Sequence, residues 1–210
     1  TTWTMGGLFA QTSGLPLKLS IQGNEMAYQD SFFPQLSTLG DVLNEAGYKQ
    51  YFMMGSDAAS GGRKNYFTSH GDYEIDDYYW AISEGLIPEG YYQWWGYEDA
   101  KLFEYAKDKL TEISKNDEPF NFSMLTVATH FEDGYKCDEC DEKQYGDDHY
   151  GMVIDCSSSR VSEFIDWIKE QPFYENTTII LSGDHLTMDA AYSDSVDEDF
   201  HRTDFNVIIN

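Results

Sequence analysis

Cations are scarce in this chain. Thirteen Lys and Arg face 38 Asp and Glu, for a formal net charge of −25 across 210 residues. That balance excludes nucleic acid as a partner, because neutralising a phosphate backbone needs clustered Lys and Arg, and none cluster here. Long apolar runs are also missing: no stretch approaches the roughly 18 apolar residues that span a bilayer. The opening residues carry no secretory leader pattern. Cysteine is limited to Cys137 and Cys140 in "KCDEC" and to Cys156. No second Cys-x-x-Cys follows, so a zinc ribbon is excluded. Half a zinc site, a redox pair, or a disulfide from Cys156 to one of the other two remain open, the last implying an oxidising compartment. Repeats and low-complexity linkers are absent as well.

What is present reads as one sizeable domain with a full core, 41% of residues being apolar. "TTWTMGGLFAQTSG" predicts a turn into a short helix, with threonines to cap it and Gly14 to end it. "PQLSTLGDVLNEAGY" predicts a second helix capped by Ser37 or Thr38, with Leu39, Val42, Leu43 and Ala46 on one face. "KQYFMMG" reads as a strand running into the Gly-rich "GSDAASGGRKNYF", and the Tyr- and Trp-crowded segment 76–97 as a helical and loop excursion. The clearest helix is "YEDAKLFEYAKDKLTEIS", with Leu102, Phe103, Ala106, Leu110 and Ile113 in one stripe. "FNFSMLTVAT" reads as a buried strand ending at His130, the acidic stretch 132–148 as a surface loop, and Val161, Phe164, Ile165 and Ile168 as the stripe of another helix. "TTIILSGDH" and "FNVIIN" close the chain as strands. The alternation predicts an α/β domain with a mostly parallel, two-sided sheet.

In such sheets ligands collect beyond the carboxyl ends of the strands. Three predicted strand ends carry polar chemistry: Gly55-Ser56-Asp57, Thr129-His130 and Asp184-His185. Asp184 and His185 suit a divalent ion such as Zn or Mn, but one carboxylate and one imidazole leave the site incomplete. A hydroxyl at a helix start could complete it, since both a metal and a helix N-terminus favour the alkoxide. "TTWTMGG" offers such hydroxyls, which could equally be plain caps. His130 could assist a leaving oxygen, or could simply be a surface residue. Arg63, in a chain poor in cations, could clamp a phosphate or pair with a carboxylate. His70, His149 and His201 have no comparable context and read as structural or solvent-facing.

Five stretches taken in order, "TTWTMGGLFAQTSGLPL", "GGRKNYFTSHG", "WGYEDAKLFEYAKDKL", "LTVATHFEDGY" and "LSGDHLTM", resemble the phosphoglycerol transferases of the alkaline phosphatase and sulfatase superfamily. That group includes lipoteichoic acid synthase and the glucan phosphoglycerol transferases. The resemblance implies a sandwich with a mostly parallel central sheet flanked by helices, and a single catalytic domain over residues 1–210. It also implies a nucleophilic threonine, a divalent metal (typically Mn, with Mg or Zn as alternatives) and a covalent glycerophosphoryl-threonine intermediate. Counting back from Gly14-Leu15-Pro16 puts the nucleophile on Thr1, with Thr4 as the second register. Asp184 and His185 fall on the metal-ligand pair, His130 on a histidine beside the phosphoryl group, and Arg63 on a substrate-binding arginine.

The implied donor is a phosphatidylglycerol-type lipid, and the acceptor a glycan or glycerol phosphate. The implied location is the extracytoplasmic face of a bacterial membrane, with the anchor in segments outside these residues. A further metal ligand, a Glu on a strand upstream of Thr1, is expected outside them too, the chain reading as cut at its start and in mid-strand at its end. Two positions depart from the lipoteichoic acid synthases: Met54 stands where they carry a His, and Gly61 where they carry a Trp. This leans toward the glucan-type branch. A sulfatase or a phosphoethanolamine transferase is the alternative within the superfamily. "TTWTMGG" lacks the Cys or Ser and the Arg of a sulfatase motif, and the cysteines are too few for the second. An inactive glycan- or lipid-binding module using the aromatic segment is the alternative outside it.

Overall fold

A computed structural model of the chain describes residues 3–19, 23–196 and 205–210. It divides into two compact units, Met5–Thr126 on one hand and Thr1–Thr4 with Val127–Asn210 on the other. The chain opens with α1 (Thr4–Ser13), which stops where Gly14 takes φ 71° and its N–H returns to the Ala10 carbonyl at 2.9 Å.

Within the first unit, β1 (Lys49–Met54) is the centre of a parallel sheet, flanked by β2 (Glu74–Asp76) and β3 (Phe120–Leu125). β1 and β3 end level, Met54 opposite Leu125. A central strand needs apolar residues on both faces, and Phe52, Met53 and Met54 are each buried. β2, only three residues long, carries too little pattern to be read from sequence. β3 stops before Thr126, so His130 lies on a loop, and the strand is half-buried rather than the buried run expected.

Helices cover this sheet. α5 (Asp99–Ile113) buries the expected stripe Leu102, Phe103, Ala106, Leu110 and Ile113. α2 (Leu39–Glu45) starts with a capping box between Thr38 and Asp41. Its apolar side departs from expectation: Leu39 and Val42 are exposed, and Gly40 is the buried contact. A Cβ at Gly40 would stand 2.2 Å from the His70 carbonyl oxygen, so this helix approaches by its backbone instead of by a side-chain stripe. His70 itself is buried and structural, with Nδ1 2.9 Å from Asp41 Oδ2 and Nε2 2.6 Å from the Phe32 carbonyl. α3 (Arg63–Ser69) contributes Tyr66 and Phe67 to an aromatic core. There Phe9, Phe32 and Tyr66 stand 5.2–6.1 Å apart between centroids. α4 (Tyr78–Ser83) falls inside the expected aromatic excursion and is capped by Asp77, which accepts from Tyr79 and Trp80 N–H.

In the second unit, α6 (Glu142–Tyr145) interrupts the acidic loop before α7 (His149–Lys169), which buries Phe164, Ile165 and Ile168 as expected. β4 (Ile179–Ser182) and β5 (Asn206–Ile209) pair antiparallel, Ile180 opposite Ile208, with α8 (Ala190–Val196) between them in sequence. Ile180 and Ile208 are both exposed, so these strands are not the two-sided buried strands that their composition suggests. His149 is exposed, and His201 lies outside the described residues.

Candidate active site

β4 hands its chain directly to Gly183, Asp184 and His185. Asp184 Oδ1 accepts the His185 backbone N–H at 2.9 Å, which turns the carboxylate back toward the imidazole. The His185 ring is fixed from its far side: Nδ1 stands 2.8 Å from the Leu186 carbonyl, an oxygen that only accepts, so Nδ1 carries the hydrogen. In the neutral ring Nε2 is then the acceptor nitrogen, and it faces Asp184 Oδ2 at 3.5 Å. A carboxylate oxygen and an imidazole nitrogen turned on each other are held by a cation between them, either a proton on Nε2 or a metal ion. Two ligand atoms, each about 2.1 Å from one ion, stand about 3 to 3.5 Å apart. The pair therefore fits a divalent metal, and the carbonyl on Nδ1 is the outer contact a metal-bound imidazole ordinarily makes. Both side chains keep a solvent path, 32% exposed for Asp184 and 12% for His185.

His130 belongs to the same compact unit, on the turn that follows β3. Its N–H closes onto the Val127 carbonyl at 3.0 Å, and its Nδ1 stands 2.5 Å from the Phe131 carbonyl. That leaves Nε2 as the acceptor nitrogen, the same tautomer as His185. Tyr150, in the first turn of α7, joins the two loops. Its hydroxyl is 3.0 Å from the Thr129 carbonyl and 3.2 Å from the Thr187 hydroxyl. Thr187 Oγ1 also accepts the Asp189 N–H at 3.1 Å, and Asp189 Oδ1 accepts from Tyr192 N at 2.9 Å. Tyr192 in turn meets the Tyr150 ring edge-on at 5.0 Å. Sequence reading missed Tyr150 and Thr187. The one available signal was a capping Asp148 placing Tyr150 at a helix start.

Arg63 lies in the other unit, beyond the end of β1. Its Nη2 donates to the Asp57 carbonyl at 2.7 Å and to Ser56 Oγ at 3.3 Å. The loop that receives it is pinned: Asp77 Oδ2 accepts from Ala58 N–H at 3.0 Å, and Tyr97 N–H reaches the Gly55 carbonyl at 2.9 Å. Gly62, with φ 80°, precedes Arg63 and directs it. Thr4 is the first residue of α1, and Thr1 lies outside the described residues. Asp184 and His185 are thus brought together, with His130 tied to them through Tyr150.

A parallel sheet flanked by helices places the chain in the α/β class. Comparison with known proteins narrows it. The sequence profile of the sulfatase family matches residues 1–205, and the chain belongs to that family. It is 34% identical over 194 residues to phosphoglycerol transferase I of Citrobacter koseri, covering 90% of this chain and 25% of that protein. Phosphoglycerol transferase I of Salmonella choleraesuis is 34% identical over 196 residues, with the same coverage. Among solved structures, a protein of the alkaline phosphatase superfamily from Vibrio parahaemolyticus superposes with a TM-score of 0.67 at 24% identity. It covers 88% of this chain and 43% of that one. The lipoteichoic acid synthase LtaP of Listeria monocytogenes gives 0.70 at 18% identity, over 87% and 44%. Those likenesses show the fold, as the resemblance implied. The chain spans about a quarter of the length of the transferases it matches.

Proposed function

We propose that this chain is the catalytic part of a phosphoglycerol transferase. It would move a glycerophosphoryl group from a phosphatidylglycerol-type lipid to a glycan or glycerol-phosphate acceptor, on the extracytoplasmic face of a bacterial membrane. The observation that carries the proposal is the Asp184–His185 pair at the end of β4, Oδ2 and Nε2 facing each other at 3.5 Å, a spacing that fits one ion between them. The 34% identity to phosphoglycerol transferases supports the choice of substrate. Among the described residues no helix is long and apolar enough to cross a membrane; attachment through other segments of the protein is part of the proposal.

In this reading Thr1 is the nucleophile, and Thr1, Asp184 and His185 hold a divalent ion, with Mn the first choice and Mg or Zn the alternatives. When bound, the ion lowers the hydroxyl pKa and offsets charge on the transferring phosphoryl group. The Thr1 oxygen attacks phosphorus, a P–O bond to Thr1 forms, and the P–O bond to diacylglycerol breaks. His130 gives the departing diacylglycerol oxygen its proton through Nε2, having taken one beforehand from Thr1 or solvent. In the second half the acceptor hydroxyl loses its proton to His130 and attacks the same phosphorus. The bond to Thr1 then breaks, and Thr1 is restored. Arg63 would bind the phosphodiester oxygens with its guanidinium, whose Nη2 is held on the Asp57 carbonyl and Ser56 Oγ.

The test is intact-protein mass spectrometry of the full-length protein after incubation with phosphatidylglycerol and Mn. A glycerophosphoryl increment that disappears in Thr1→Ala and persists in Thr4→Ala is expected. An increment lost only in Thr4→Ala moves the nucleophile to the first residue of α1. No increment, with metal bound, overturns the transferase reading in favour of another ester of the same superfamily.

A further inference from the structure

The three cysteines, 16 and more residues apart for the outermost pairs in sequence, meet in space. Cys137 and Cys140 come from the loop after His130, and Cys156 from α7. Cys137 Sγ stands 3.3 Å from Cys140 Sγ and 3.2 Å from Cys156 Sγ, and all three sulfurs lie within 4.8 Å of one another. All are free thiols and half-buried. Around them are the donors that thiolates need. The Cys137 N–H points to Cys140 Sγ at 3.3 Å, and Arg160 Nη2 reaches Cys137 Sγ at 3.1 Å. Arg160 is 15% exposed, and its other partner, Glu139 at 2.6 Å, lies in the same loop.

We propose that Cys137, Cys140 and Cys156 form a thiolate site for one divalent d10 ion of the Zn(II) type, distinct from the Asp184–His185 pair and independent of the transferase reading. Geometry, charge and composition each argue for it. Three sulfurs at about 2.3 Å from one ion stand about 3.8 Å apart, so the present cluster closes on an ion by opening about half an ångström. A dication on three thiolates leaves one residual negative charge where a monovalent ion leaves two, and Arg160, which also meets Glu139, is the cation beside it. In a chain with only 13 Lys and Arg, one guanidinium is spent on a sulfur. A disulfide would use two of the three thiols and strand the third.

Binding exchanges three S–H bonds for three metal–sulfur bonds and releases the protons to solvent, with no change of oxidation state. Three protein ligands leave a fourth tetrahedral position to water. The ion would staple the acidic loop beginning at Phe131 to α7, and so restrain the segment that follows His130.

The test is a Co(II) titration of the full-length protein, reduced and freed of metal. The thiolate-to-cobalt charge-transfer absorption is expected to saturate at one equivalent and to be bleached by Zn(II). It should persist in Asp184→Ala, whose site offers no sulfur, and be lost in Cys137→Ser and Cys156→Ser. Arg160→Gln should weaken Co(II) binding on the order of tenfold. Absence of the absorption from the wild-type protein, with all three thiols counted after denaturation, overturns the site without reference to any variant. So does a disulfide to Cys156 in the protein as isolated, or an absorption that survives Cys156→Ser.

Discussion

Tyr150 and Thr187 share one hydrogen bond, 3.2 Å long, and through it two loops are fixed to one helix. The Tyr150 hydroxyl has a single proton, and the Thr129 carbonyl at 3.0 Å can only accept it. Thr187 must therefore donate to Tyr150, which orders the chain two residues beyond His185. Tyr150 is 7% exposed, so its partners have little water to turn to. Tyr150→Phe should cost about 1 kcal/mol of unfolding free energy in urea. Thr187→Val should cost a similar amount, and the double variant less than the sum. Additive losses would show that the two hydroxyls act separately. The proposed phosphoglycerol transfer should fall in Tyr150→Phe without loss of fold, because a loop freed by a fraction of an ångström misplaces its imidazole.

Metal at the Asp184–His185 pair should be visible as stability. An ion at a hundred times its dissociation constant raises unfolding free energy by about 2.7 kcal/mol if the unfolded chain does not bind it. Mn should therefore raise the melting temperature of the full-length protein. Asp184→Ala and His185→Ala should each weaken binding by on the order of a hundredfold or more, abolishing the shift at moderate Mn. Being a hard ion, Mn leaves the three thiols alone, so the cysteine variants should keep the shift. A shift retained in both Asp184→Ala and His185→Ala would place the ion elsewhere.

Legibility in the sequence followed the range of the interaction. The α5 stripe, the Thr38 cap and the Asp-His at the end of β4 are local patterns, and each is where the residues placed it. α2 failed because its contact is made by Gly40, which periodicity counts as neutral, while Leu39 and Val42 look outward. β4 and β5 read as buried because Ile and Val favour strands, yet Ile180 and Ile208 oppose each other on an exposed face. The thiol cluster was half legible: spacing gave Cys137 with Cys140 and left Cys156 open as a disulfide partner of either, but only the docking of the loop on α7 brings all three sulfurs together. No local rule could give Tyr150 its two partners, because they are 21 and 37 residues away.

Gly62 is a second place where a close approach demands glycine, and here the residue that follows is a candidate site residue. It holds φ 80°, and a Cβ there would stand 2.8 Å from the Met26 side chain and 3.1 Å from its backbone. Gly62→Ala should cost about 1 to 3 kcal/mol, from left-handed strain together with the clash. Because Arg63 follows directly, the variant should also raise KM for the proposed lipid donor more than it lowers kcat. Gly85→Ala is the control, since it too has positive φ (72°) but no atom within 4 Å of the added carbon. A loss no larger in Gly62→Ala than in Gly85→Ala would leave strain alone as the cause.

Asp76 gives the first unit a pH response whose sign follows from its burial. The side chain is fully buried on β2, and burial pushes its carboxyl up to about 6, although Lys109 Nζ stands 3.1 Å from Oδ2 and pulls the other way. A carboxyl whose folded pKa lies above its unfolded value of 3.8 takes up protons more readily when folded. Its contribution to stability is therefore fully present below pH 3.8 and is lost as pH rises through about 6. Urea unfolding should show that component in the wild type, and Asp76→Asn should flatten it. Lys109 also pairs with Glu74 and lies over the Tyr51 ring. Lys109→Met should cost about 3 to 5 kcal/mol at pH 7, because it leaves a buried carboxylate without its cation. Acidifying to pH 5 should recover part of that loss as Asp76 takes its proton. A Lys109→Met deficit that is the same at both pH values would mean that Asp76 is not the group left uncompensated.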